Sequence, residues 1–425
     1  MEVSLKYGEG EVTLALTGAA SVEFLLEKPS PVIMDLQTAF LQAVTTDRVD
    51  SPPLCEVIKP WDKVTVLVSD ITRYWMRQDK ICPLLADYLC NQIGVRKENI
   101  VFLVALGTHR RQSPEEMEKL VSSQVFRSFE ILNHNCSAKD LVTVGTTSRG
   151  TKVRLSPLVV GRKVILIGGT VHHLMSGFGG GRKSILPGVS SQDTIFQNHI
   201  HSLDPGAPRS SPLIGMGVLM GNPVHEDMVE AAQMVNPAFS INLVVNSRQE
   251  LCALYCGHWL HAWEKSCNTV QELFGLPIGK KADVVIASCG GYPKDINLYQ
   301  AVKTLLNASQ ALKDGGTLVF LAECREGGGT PAFFDWIKPL KDDRLDEALR
   351  VGFTISGYIF YAACEAIARV KVLMLTQLKP DVTASMSLEA YDDISSLSKK
   401  LDLLGKDVYV MPYGGAVVPY VADGR

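Results

Sequence analysis

Short continuous runs of β-branched and aliphatic residues, each closed by glycine or a polar cluster, set the strongest limit on this fold. Lys63-Val64-Thr65-Val66-Leu67-Val68 stops at Ser69-Asp70, Asn99-Ile100-Val101-Phe102-Leu103-Val104-Ala105-Leu106 at Gly107, and Lys163-Val164-Ile165-Leu166-Ile167 at Gly168-Gly169. Their apolar residues do not alternate with polar ones, so each strand needs cover on both faces. Helical patterns separate the runs. One is expected over Lys80–Ile93, and Ser113-Pro114-Glu115-Glu116 opens another with an N-cap serine, a first-turn proline and a glutamate at the third position. Such alternation predicts an α/β fold with largely parallel sheets.

A second block begins after Gly275-Leu276-Pro277. Ala282–Ser288 reads as its first strand, ending at Gly290-Gly291. A helix over Gln300–Leu312 and a turn at Asp314-Gly315-Gly316 lead to a strand over Thr317–Leu321. Two α/β domains are expected, residues 1–270 and 271–425. Tyr358–Leu375 is strongly apolar, but Glu365, Arg369 and Lys371 mark it as a buried helix and strand, not a membrane span.

Composition removes other classes. With 46% apolar and 20% charged residues the chain is globular. Its net charge of −3 and the absence of a basic stripe argue against a nucleic-acid partner. Met1-Glu2-Val3-Ser4-Leu5-Lys6 lacks the basic and apolar regions of a signal peptide. Ten scattered cysteines predict reduced thiols in a cytoplasmic enzyme without membrane attachment.

Ligands of open α/β sheets bind beyond the carboxyl ends of the strands. Those ends are loaded here: Asp70, Thr72 and Arg73 follow one strand, His109, Arg110 and Arg111 the next, and His172 and His173 the third. In the second block Tyr292, Lys294 and Asp295 occupy the same place. His109 reads either as a solvated loop histidine or as a general acid/base, since imidazole exchanges protons near neutral pH. Arg73 is either an ion-pair partner of Asp70 or a clamp for a substrate carboxylate.

Between Gly168 and His201 lie four of the nine histidines and seven glycines. Gly179-Gly180-Gly181-Arg182-Lys183-Ser184 suits anion binding, with backbone N–H groups brought close and two cations beside them. A phosphate-binding P-loop needs glycine before its lysine, where Arg182 stands. A phosphate-handling α/β enzyme using Arg182 and Lys183 as anion clamps remains the alternative reading. His199 and His201, two apart, do not share a helix face. His258 and His261 have helical spacing without established carboxylate or cysteine ligands nearby and are read as packing, as are Cys252 and Cys256.

These segments resemble the nickel-dependent lactate racemases, and the likeness runs over nearly the whole chain. It rests on Ser69-Asp70-Ile71-Thr72-Arg73, Gly107-Thr108-His109-Arg110, Gly221-Asn222-Pro223-Val224-His225-Glu226, Gly290-Gly291-Tyr292-Pro293 through Tyr299-Gln300-Ala301-Val302-Lys303, and Met411-Pro412-Tyr413-Gly414-Gly415. Its most specific part is His173 with Gly180-Gly181-Arg182-Lys183-Ser184-Ile185-Leu186-Pro187-Gly188 and His199 sixteen residues past the lysine.

The resemblance implies two α/β domains with an interdomain active site and a racemase or epimerase of a 2-hydroxy acid. It implies a nickel-pincer nucleotide, pyridinium-3,5-bisthiocarboxylic acid mononucleotide, joined by a thioamide to Lys183, with His199 as the protein's nickel ligand. Asp70, Gly180, Gly181 and Arg182 would lie about that cofactor. His109 and His173 match the acid/base pair, and Arg73, Lys303, Gln300 and Tyr299 the substrate-holding residues. Hydride transfer to the cofactor through a planar 2-keto acid would allow return to either face. Cofactor-maturation enzymes are the implied partners. Tyr74-Trp75 stand where the family commonly has proline after the arginine, and Gly179 where serine is frequent. Gly357–Tyr361 is also less polar than expected. If Tyr74, Trp75 and Tyr358 line the pocket, a substrate other than lactate is expected.

Overall fold

The computed structural model describes residues 1–422. The chain divides into two compact units, a larger one of Pro29–Pro205 with Ser211–Gln271 and a smaller one of Met1–Lys28, Gly206–Ser210 and the chain from Glu272 onward.

The larger unit is built on a six-stranded sheet. Val64–Ser69 lies between Ile100–Ala105 and Lys163–Gly169. Glu130–Asn133 extends one side, and Phe239–Val245 with Leu251–Gly257 the other. All neighbours are parallel except the last pair. The unbroken apolar runs are explained by burial on both faces: Val64, Val66, Leu67, Ile165 and Ile167 are all fully buried. Chain order runs outward from Val64–Ser69 through two strands, then returns to its other side at Lys163–Gly169. This reversal leaves a crevice beyond the carboxyl ends of those two strands, where a doubly wound sheet receives ligands.

The local signals ahead of the site hold. Ser113 accepts from the Glu116 N–H while the Glu116 side chain accepts from the Ser113 N–H, closing a capping box on the helix Pro114–Val121. The helix expected over Lys80–Ile93 starts at Gln78 and runs as α-helix to Asp87, then continues through a wider turn to Ile93.

The smaller unit has a six-stranded, wholly parallel sheet. Ala282–Ser288 lies between Leu312–Leu321 and Asp407–Met411, and the reversal of strand order falls between it and the latter. Lys371–Leu375 and Glu389–Tyr391 complete one side. Ser21–Phe24 completes the other, paired in parallel with Asp407–Val410. The expected division at residue 270 assigns residues 1–28 to the first domain; they fold instead with the second, because this strand needs the edge offered by Asp407–Met411. The strand expected to start at Thr317 begins at Leu312 and absorbs the predicted turn at an irregularity of register. The helix Ile355–Arg369 leads to Lys371–Leu375 with Tyr358 and Phe360 buried, as the apolar segment requires. No helix among the described residues is long and apolar enough to cross a membrane, and all ten cysteines are free.

Candidate active site

In the larger unit the first strand of the crevice ends at Asp70, which caps the helical turn Ile71–Met76. Its Oδ1 accepts from the Thr72 N–H at 2.8 Å and the Thr72 hydroxyl at 2.5 Å. Its Oδ2 lies 3.0 Å from His109 Nδ1, on the loop after the neighbouring strand. Burial raises the Asp70 carboxyl, but the hydrogen bond and charge of His109, the Thr72 hydroxyl and Arg73 prevail and hold it at about 2. An ionised carboxylate only accepts, so His109 Nδ1 donates and the ring presents the lone pair of Nε2. The imidazole is part-exposed, as a group exchanging protons with a ligand must be. Arg73 stands exposed one turn on, touching the Thr72 hydroxyl at 3.0 Å and paired with no carboxylate among the described residues.

The second strand of the crevice leads to His173, in a two-residue antiparallel pairing with Gly177. Its Nδ1 accepts from the backbone N–H groups of Met175 at 3.2 Å and Ser176 at 3.3 Å, and its Nε2 lies 2.9 Å from Lys183 Nζ. Burial and then the neighbouring Lys183 push His173 well below the ordinary histidine range. Lys183 is held well below the lysine range by burial, then by Arg182 and Arg73. His172 is turned away, with Nε2 2.9 Å from Gln271 Oε1.

The glycine loop is shaped from within. Gly181 has φ +54°, and a Cβ there would meet the Trp263 ring at 2.5 Å, so only glycine fits without displacing an indole. Arg182 is fully buried and lies 3.9 Å over that ring. It donates to the carbonyls of Ser176 at 2.6 Å, Phe178 at 2.8 Å and Gly180 at 3.4 Å, and to His225 Nδ1 at 3.1 Å. Trp263 Nε1 donates to the Gly179 carbonyl at 2.8 Å. Arg182 therefore faces the core, not a ligand, and the expected anion clamp or cofactor contact from its side chain is absent. The sequence offers no signal for Trp263, and although His225 stands in a segment that carries the family likeness, nothing local joins either to Arg182, 81 and 43 residues away.

His199 ends the helix Gln192–His199. Its Nδ1 lies 2.9 Å from the Ile195 carbonyl and so donates, which places the lone pair on Nε2 in the tautomer suited to a metal. Burial and then Lys183 push it down to about 3. His201 lies in the following turn with a buried, unpartnered Nε2. His258 and His261 stack at 4.3 Å, with His261 2.6 Å from Asp50. Among the described residues no three His, Cys, Asp or Glu side chains converge as a metal cage.

In the smaller unit, Tyr299, Gln300 and Lys303 lie at the start of the helix Leu298–Gln310, capped by Asn297, whose side chain accepts from the Gln300 N–H. Gln300 and Lys303 are three apart and both exposed, so they share one face. Tyr299 packs edge-on against Phe333 at 5.9 Å. Of the strand-end cluster, Tyr292 lies under Arg325, Lys294 lies over Tyr413, and Asp295 is buried. Tyr358 is buried against Phe353 and bonds Ser210, while Tyr74 packs on the core beneath Lys119. Both are packing residues. The tip of Trp75 reaches the surroundings of Gly169, at the end of the crevice strand.

Residues 7–210 match the lactate racemase N-terminal domain profile, and residues 278–418 the lactate racemase C-terminal domain profile. The chain belongs to the lactate racemase family. The lactate racemase of Thermoanaerobacterium thermosaccharolyticum is 34% identical over 80% of this chain and 78% of its own. That of Lactiplantibacillus plantarum is 29% identical over 88% and 87%. The solved lactate racemase apoprotein from T. thermosaccharolyticum superposes with a TM-score of 0.87 at 26% identity, covering 99% of this chain and all of that one. A Thermotoga maritima structure, at 21% identity and a TM-score of 0.65, shares the fold. The expected family, the α/β class and an isomerase of this type are thereby established. A P-loop assignment loses its support, because the lysine loop enters a short 3₁₀ turn, Gly181–Ser184, and Arg182 is buried.

Proposed function

We propose that this protein racemises or epimerises a 2-hydroxy acid with a nickel-pincer nucleotide attached to Lys183. The observation carrying the reading is the placement of Lys183 Nζ 2.9 Å from His173 Nε2 at the switch point where Asp70 orients His109. A cofactor lysine, an acid/base histidine and a carboxylate-oriented second histidine thus come from the ends of adjacent strands. The residues fit the group: Lys183 is held toward the amine form, and the tautomer of His199 is that of a metal ligand. With no metal cage among the described residues, His199 would hold nickel whose remaining ligands the nucleotide brings.

When bound, the cofactor supplies a hydride acceptor. The chain's residues do the rest. Arg73 would take the substrate carboxylate bidentately, with Lys303 and Gln300 in the same task. His109 Nε2, with its proton-bearing Nδ1 fixed on Asp70, takes or returns the hydroxyl proton. His173 matches the second acid/base position, for the opposite enantiomer. Asp70 keeps the first imidazole in one tautomer and stabilises its cationic form. Because Tyr74 and Tyr358 are committed to packing, lactate remains within the proposed substrate range, and Trp75 is the departure from the family pattern left near the crevice.

Intact mass and peptide mapping of protein matured with the cofactor-building enzymes test the reading. The expected result is an adduct on Lys183 with stoichiometric nickel and α-hydrogen exchange on a panel of 2-hydroxy acids. Full activity with an unmodified Lys183 would sink it.

A further inference from the structure

Building on the reading that Lys183 carries the cofactor, we infer that the buried Arg182 guanidinium adds to the burial of the adjacent Lys183 the fixed charge that keeps it a neutral, nucleophilic amine before attachment. The hydrogen bonds of His173 supply the first half of the argument. Its Nδ1 accepts from two backbone N–H groups, so a neutral ring carries its proton on Nε2. That nitrogen lies 2.9 Å from Lys183 Nζ and donates to it. An ammonium has three donors and no acceptor; only an amine with a lone pair completes this contact.

Arg182 supplies the second half. It is fully buried, yet its partners are three loop carbonyls, the Trp263 face and an imidazole nitrogen. Because His225 Nδ1 accepts from Arg182 Nε, and because burial and Arg182 push His225 down to about 3, that imidazole is neutral. A buried cation normally has a carboxylate beside it. Among the described residues this one has none, so its field is uncompensated where Lys183 begins. Burial lowers Arg182 to about 9, which leaves it protonated near neutrality. The titratable and charged groups acting on the amine are Arg182, Arg73, His173 and His199. Arg182 and Arg73 disfavour a second positive charge at Nζ, and the neutral His173 ring turns an N–H donor to it. The same guanidinium turns the loop carbonyls inward, so shape and charge come from a single side chain.

Trace acetylation of the full-length, cofactor-free protein with acetic anhydride, read by peptide mass spectrometry, tests this. The amine attacks the anhydride carbonyl, acetate leaves and the proton goes to solvent, so the rate reports the neutral amine. Lys183 is expected to label at a rate nearly flat across neutral pH, whereas exposed lysines such as Lys139 gain about tenfold per pH unit. Arg182→Met should restore a steep profile to Lys183 and reduce its labelling at neutral pH by about tenfold or more. Arg182→Gln keeps donors for the carbonyls without the charge; it should behave as Arg182→Met does and decides the matter if the methionine variant does not fold. Arg182→Lys, which keeps charge, should retain the flat profile. A steep wild-type profile overturns the inference, as does a flat profile in both neutral variants. The attachment reading is judged separately, by mass, on matured wild type: flat acetylation without an adduct supports this inference and removes the cofactor reading.

Discussion

In the larger unit the loop beyond the central strands buries a cation, Arg182, while the carboxylate at the strand end, Asp70, is bonded to His109; in the smaller unit Asp295 is buried beyond Ala282–Ser288. Both positions follow the reversal of strand order in a parallel sheet. Arg182 has acceptors for its Nε, Nη1 and Nη2, all neutral. Asp295 uses Oδ2 to accept from Gly8 N–H at 2.7 Å and Glu323 N–H at 3.4 Å, and its Oδ1 is buried without a partner. One arrangement sets a buried cation next to Lys183; the other fastens the turn after Glu2–Tyr7 to its sheet. The same topology therefore carries the proposed chemistry in one unit and an attachment in the other.

The largest effect should come from the histidines. In matured protein His109→Ala and His173→Ala are expected to lower kcat by roughly 10²–10⁴-fold, whereas Lys303→Ala and Gln300→Ala act mainly through KM. Steady-state kinetics with the best substrate of the panel decide this. A Lys303→Ala variant with unchanged KM and a collapsed kcat would break the division of labour proposed for these residues.

Gly181→Ala comes next, because the added methyl must displace Trp263 from a residue at positive φ. A loss of about 2–4 kcal/mol in urea unfolding is expected. Wild-type stability in this variant would show that the loop is not shaped by the indole.

Acid provides a third test. The Asp70 carboxyl lies below its ordinary value of 3.8, at about 2, so its contribution is complete above the ordinary value and disappears as pH falls through about 2. That contribution is on the order of 2 kcal/mol. Asp70→Asn should flatten the acid limb of the stability profile between about pH 4 and 2; an unchanged limb would refute it. The smallest effect is expected from Asp295→Asn, which keeps an acceptor for both N–H groups and removes a poorly partnered carboxylate. Its cost should stay under about 1 kcal/mol, and a much larger loss would mean that the charge itself is needed there.

The strands, the capping box and the loaded strand ends were legible because each depends on residues close in sequence. Asp70 and His109 could be placed on neighbouring strand ends but not joined, since the 3.0 Å contact depends on sheet register. Arg182 was misread for a physical reason. A cation in a glycine loop suggests anion binding, and nothing local reveals that Trp263 supplies a face and the loop's own carbonyls the acceptors. Residues 1–28 were misplaced because a short edge strand carries no mark of its partner, which here lies 386 residues away.

That edge strand also bears on synthesis. Ser21–Phe24 leaves the ribosome some 386 residues ahead of its partner strand Asp407–Met411. The larger unit can complete its sheet in the meantime, since domains form as units while the chain emerges. The smaller unit must hold its first segment in waiting and close last, at the loop-closure cost of a very distant pairing. A chain cut before Asp407 would thus lose that strand together with Val418–Val421 and leave Ser21–Phe24 without its edge.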